Sequence, residues 1–100
     1  MNLTGKCKED FEKWYEKHNL KVSWVSLDLI FKHLPDSMQY GVYIDFFDSV
    51  GIIIEVTYDN LPMEFDCYVN NEKWTGFFTR QEARTKAIEK ASEIYNESKV

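Results

Sequence analysis

Four residues near the C-terminus, Thr79-Arg80-Gln81-Glu82, constrain this chain more than any others. A hydroxyl residue followed three positions later by Glu marks a capped helix start, in which the two residues serve each other's backbone donors. Behind it Ala83, Ala87, Ile88, Ala91, Ile94 and Tyr95 fall on one face at helical spacing. Arg80, Arg84, Lys86, Glu89, Lys90, Glu93 and Glu97 take the rest. A stripe built largely from alanine lets a helix lie close against a sheet. The C-terminal third therefore predicts one long amphipathic helix seated on β-structure.

One hundred residues make a single domain, residues 1–100, with one core and little to spare. A chain that is 44% hydrophobic and 16% aromatic carries too much apolar material to stay disordered. No apolar run approaches the roughly 20 residues needed to cross a bilayer. Met1-Asn2-Leu3-Thr4-Gly5-Lys6 holds no apolar stretch of the signal-peptide kind, so a cytoplasmic protein is expected. Cys7 and Cys67 are too few for a disulfide framework and have no histidine at metal-ligand spacing. Both are expected as small buried hydrophobes.

Upstream, Cys7, Phe11, Trp14, Tyr15 and His18 form one apolar stripe, predicting a first helix from Gly5 to Asn19 with Thr4 as its cap. His18 is expected in the core or against the helix C-terminus. Residues 20–34 allow two readings. Ser26 could cap a short helix carrying Leu27, Ile30, Phe31 and Leu34, or Leu20 to Trp24 could be extended. The next segment is rich in strand-forming aromatics, yet Ser37, Gly41, Asp45, Asp48 and Ser49 trace a helical polar stripe, and Phe46-Phe47 breaks strand alternation. It predicts a helix opened by Pro35-Asp36 and closed by Gly51 in the left-handed region. Three strands follow. Ile52 to Tyr58 and Glu64 to Val69 alternate around the turn Asp59-Asn60-Leu61-Pro62, and Lys73 to Phe78 follows the tight turn Asn70-Asn71. The fold class is α+β: an N-terminal helix, a possible short helix, then an α-β-β-β-α unit whose three-stranded antiparallel sheet is covered by helices on one face. The expected core is Phe11, Trp14, Ile52, Ile54, Val56, Phe65, Val69, Ala83, Ala87, Ile88, Ala91 and Ile94.

Residues 35–97 in this order resemble the double-stranded-RNA-binding domain. Thr79-Arg80-Gln81-Glu82-Ala83-Arg84 can be laid on that family's last-helix motif, keeping Arg80, Ala83 and Arg84, with Gln81 at a cationic position. The loop Asp59-Asn60-Leu61-Pro62 has the family's proline but not its histidine. The resemblance implies phosphate contacts from the last helix. The chain also resembles small proteins carried by bacteria of the Bacteroides type and by their phages. That likeness rests on Met38-Gln39-Tyr40-Gly41-Val42-Tyr43, on Asp45 to Ile52, on Thr79 to Arg84 and on Ile94-Tyr95-Asn96. It implies a context and no activity.

Catalytic patterns are missing. The glycines at 5, 41, 51 and 76 build no phosphate loop, and neither a GxSxG elbow nor an HExxH helix occurs. Asp45 and Asp48, one helical turn apart, could share a proton or hold a cation, but they lie on the polar stripe, where solvated carboxylates are ordinary. No catalytic residue, metal or cofactor is expected, and the chain is not expected to be an enzyme. Charge is the stronger signal: residues 28–72 hold nine acids against one base, Lys32, in a chain of net charge −5. If Ile54, Val56, Phe65, Cys67 and Val69 face the helices, then Glu55, Thr57, Glu64, Asp66 and Tyr68 take the open face of the sheet. The expected function is a small acidic binding protein, encoded by a phage or mobile element, that docks on a basic surface of a host protein. A host defence nuclease inhibited by nucleic-acid mimicry is one such target. Its contact residues would be Glu55, Glu64, Asp66 and Tyr68. The alternative is a nucleic-acid-binding domain using Arg80, Arg84, Lys86 and Lys90. A third reading makes surplus aromatics such as Trp24, Trp74 and Phe77 the buried interface of a homo-oligomer.

Overall fold

A computed structural model of the chain describes residues 1–18, 31–61 and 63–98. Its elements run α1 (Gly5–His18), α2 (Asp36–Ser49), β1 (Ile54–Asp59), β2 (Glu64–Val69), β3 (Glu72–Phe77) and α3 (Arg80–Ser98). The His18 side chain lies outside the described residues, as do residues 20–30, on which the choice between the two readings of 20–34 turns; Phe31 is buried and Leu34 packs against the core. The strands form one antiparallel sheet in the order β1-β2-β3, so the architecture is α+β with an α-β-β-β-α unit.

The aromatic-rich stretch is a helix because its polar residues are spaced for one. Ser37, Gly41, Asp45, Asp48 and Ser49 are all exposed, while Gln39, Tyr43, Phe46 and Phe47 are buried. The two adjacent phenylalanines can both be buried because α2 is covered on more than one side. Phe46 meets the rings of Phe11, Trp14 and Tyr95, and Phe47 is wholly enclosed. Gly51 closes the helix at φ +82: its N–H donates to Asp48 O at 3.2 Å, and Ile52 N–H donates to Phe47 O at 2.9 Å. This is the double bond of a Schellman stop, which satisfies the last carbonyls.

Helix α3 crosses the sheet with Ala83, Ala87, Ile88, Ala91, Ser92 and Tyr95 buried, and the cap at its start forms. Glu82 N–H donates to Thr79 Oγ1 at 3.1 Å, while the Glu82 carboxylate accepts from the Thr79 hydroxyl at 3.2 Å instead of from the Thr79 backbone. The start of α1 differs from expectation. Thr4 supplies its carbonyl to Lys8 N–H, but the cap is the side chain of Asn96 on α3. Asn96 Oδ1 accepts from Cys7 N–H at 2.8 Å and its Nδ2 donates to Thr4 O at 2.9 Å, while Ser92 Oγ accepts from Thr4 N–H at 3.2 Å. Gly5 fits here at φ +58, where an added Cβ would come within 3.2 Å of Asn96.

Of the expected core, Phe11, Ile52, Ile54, Val69, Ala83, Ala87, Ile88 and Ala91 are buried. Trp14, Val56, Phe65 and Ile94 are half-buried against it. Cys7 and Cys67 are free, buried thiols, as expected. The centre of the helical layer is a ring cluster around Phe11, whose nearest partners are Tyr43 at 5.0 Å, Phe31 at 5.3 Å and Phe46 at 5.4 Å.

Candidate functional site: the open face of the sheet

Register decides what the face opposite the helices displays. Across β1, β2 and β3, Glu55 pairs with Tyr68 and Tyr68 with Lys73, so these three side chains form one row. In the neighbouring row Thr57 pairs with Asp66, and at the end of the hairpin Asp59 pairs with Glu64. Cys67 pairs with Trp74, whose ring lies under Lys90 of α3, which fixes the opposite parity as the helix side. The β2–β3 ladder shifts between Phe65 and Cys67, where β3 carries one extra residue. Gly76, at φ +88, absorbs that bulge. The turn between these strands is held by Asn70 at φ 56, the left-handed geometry expected of asparagine.

The four residues singled out for partner binding do share this face, but they are not equally available. Glu55 is exposed, Glu64 and Tyr68 are half-buried, and Asp66 is only 4% exposed. The expectation for Asp66 is therefore corrected: it shares the face but is buried in the free chain rather than exposed on it. It sits on the central strand beside the bulge, with Lys73 next to it, and parity alone does not reveal its burial. Its Oδ2 lies 3.8 Å from Lys73 Nζ, and its Oδ1 has no hydrogen-bond donor among the described residues. Lys73 sits over the Tyr68 ring, 5.5 Å from its centroid. Tyr68 first, and then the charge of Asp66, hold that ammonium above the usual lysine value. Asp59 acts on it in the same direction, more weakly.

Sequence reasoning missed Lys73 and Asp59. A two-residue turn at Asn70-Asn71 makes Tyr68 and Lys73 direct partners, so Lys73 could have been found by counting back from the turn. One end of the sheet also carries an exposed apolar group that no pattern singled out. Tyr58, Leu61, Met63 and Phe78 are exposed, Leu61 by 86% and Phe78 by 83%. Met63 adopts φ 62, and non-glycine residues seldom take that conformation.

The basic residues proposed for nucleic acid do not form one free patch. Arg80 lies over the Phe65 ring and Arg84 over the Tyr40 ring, with centroids at 5.3 Å and 4.7 Å. Lys86 pairs with Glu89, and Lys90 pairs with Glu93 while covering Trp74. At about 100° per residue, Arg80 and Arg84 continue the buried stripe of α3 whereas Lys86 and Lys90 flank it. Asp45 and Asp48 are exposed on the polar face of α2. Among the described residues no group of three or more acidic, histidine or cysteine side chains is placed to hold a metal ion, and no helix is long and apolar enough to cross a membrane. Burial pushes the Cys7 thiol up to about 11 and raises Cys67 as well. Comparison with family models, with curated proteins and with solved structures finds no match to this chain.

Proposed function

We propose that this protein is a small non-enzymatic binding module that docks the open face of its sheet onto a basic surface of a host protein. The observation that carries this reading is that the carboxylates of Glu55, Asp59 and Glu64 share one face of the sheet with the half-buried Tyr68, Glu55 directly beside it and the Asp59–Glu64 pair at the end of the hairpin. They lie in a chain of net charge −5. Complementary charge raises the rate of encounter and fixes orientation, while an aromatic anchor supplies contact area at low entropic cost. The exposed Leu61, Met63 and Phe78 at the end of the sheet add apolar area beside it. A nuclease groove that otherwise holds nucleic acid is the class of basic surface this charge favours, and a phage or mobile-element origin would supply such a target in the host.

The test is capture from host lysate by the wild-type chain and by the Glu55→Gln, Asp59→Asn, Glu64→Gln triple variant. The variant should keep its stability within about 0.5 kcal/mol, because like charges on neighbouring strands are not stabilising. It should lose the partner that the wild type retains at low salt and releases at high salt. Equal capture by both proteins would refute the reading. Retention of the wild type on heparin, lost in Arg80→Ala/Lys90→Ala, would instead favour nucleic acid.

A further inference from the structure

We infer that the Asp66–Tyr68 pair is a socket for a single arginine side chain of the partner, a proposal that rests on the docking face described above. Three observations meet at this point. A carboxylate that is only 4% exposed sits in the middle of the open face, and its Oδ1 has no donor among the described residues. Buried polar atoms are nearly always satisfied, so an enclosed carboxylate oxygen without a donor marks a place where a donor belongs. The neighbouring Tyr68 ring already carries a cation on its face, the Lys73 ammonium at 5.5 Å. That ammonium approaches Asp66 only at 3.8 Å, a loose contact that leaves one oxygen unserved.

A guanidinium fits this arrangement better than the ammonium that now occupies its edge. It is planar, so it stacks on a phenol ring, and it presents parallel N–H donors that can serve both carboxylate oxygens at once. Glu55, paired directly with Tyr68, and Glu64, two residues before Asp66 on the same strand and face, give the entrance the charge that attracts it. Lys73 is half-exposed on a flexible stem, so it can swing into solvent as the guest enters. Arginine entry is thus an exchange of cations at a carboxylate already committed to ionic contact.

The test is a titration of the isotope-labelled full chain with the blocked tripeptide acetyl-Gly-Arg-Gly-amide, followed by NMR. Saturable shifts at Asp66, Tyr68 and Lys73 are expected, weaker with the lysine tripeptide. Asp66→Asn should weaken binding by about 10- to 100-fold, the range for a charged hydrogen-bond partner. Lys73→Gln should tighten it, because the competing cation is gone, and a merely structural role for Asp66 would not produce that gain. Non-saturating shifts, equal shifts in Asp66→Asn, or weaker binding by Lys73→Gln would overturn the socket. The tripeptide needs no host partner, so the two readings fail separately. If Glu55, Asp59 and Glu64 are required for capture but Asp66→Asn captures normally, the docking face stands and the socket falls. If the tripeptide binds but no partner depends on the acids, the reverse holds.

Discussion

On the helix side of the sheet most polar groups near the core have partners among the described residues, the buried Arg84 Nε, stacked on Tyr40, being an exception. On the open side a carboxylate sits enclosed with one oxygen unserved. Asn96 closes the start of α1, Gln39 Nε2 donates to Leu34 O at 2.9 Å, and the Tyr95 hydroxyl donates to Asp10 Oδ2 at 2.5 Å. These bonds link segments up to 92 residues apart and surround the ring cluster at Phe11. Across the sheet, Lys73 meets Asp66 only loosely and Oδ1 has no donor among the described residues. The difference teaches that the helical layer carries stability, while the open face is the side on which the proposed docking would act. Substitutions should therefore divide by side.

The largest loss is expected from Ile88→Ala, which empties a fully buried site between α3 and the sheet. Chemical denaturation should show a cost of about 2–4 kcal/mol; less than about 0.5 kcal/mol would mean that α3 is not packed as described. Asn96→Ala should follow at about 1–2 kcal/mol, because it strips the cap from α1 and leaves Cys7 N–H without its acceptor. Asn96→Asp should recover part of this, since it keeps the acceptor and loses only the donors to Thr4.

Tyr95→Phe should cost about 1 kcal/mol at neutral pH and change the pH dependence at both ends. Burial first, and then the bond to Asp10, push the Tyr95 hydroxyl up to about 12. A raised value in the folded state stabilises fully below the unfolded tyrosine value, about 10. That contribution disappears as pH rises toward about 12. The same hydrogen bond is the largest cause holding Asp10 below the usual carboxylate range. Its contribution is complete above the unfolded aspartate value of about 3.9 and is lost as pH falls through the lower folded value. Tyr95→Phe should flatten both limbs when stability is measured against pH, and an unchanged profile would refute the pairing. A similar loss, about 1 kcal/mol, is expected for Thr79→Ala, with Thr79→Ser close to wild type.

How much of this could be read in the sequence depends on how local each cause is. The helix at α2 was legible because its polar stripe and Gly51 lie within one segment. The hydroxyl cap at Thr79 and the left-handed Asn70 were legible for the same reason. Asn96 as the cap of α1 was not, because the partners are separated by 89 residues and no local pattern joins them. Phe65 was expected in the core, and parity does put it on the helix side. It lies beside the first turn of α3, however, where Arg80 is its cover and leaves it half-exposed. Asp66 failed for the opposite reason: parity correctly assigned its face but could not foresee the bulge at Gly76 or the lysine beside it.

The contrast between the two sides is tested most directly by solvent paramagnetic relaxation of the labelled chain with a neutral gadolinium chelate. Side-chain protons of Glu55, Thr57 and Lys73 should relax strongly, while those of Val69, Ala87 and Ile88, across the same sheet, should be nearly unaffected. Equal protection on both sides at low protein concentration would contradict an open face, and with it the division between a packed side and the side proposed to dock.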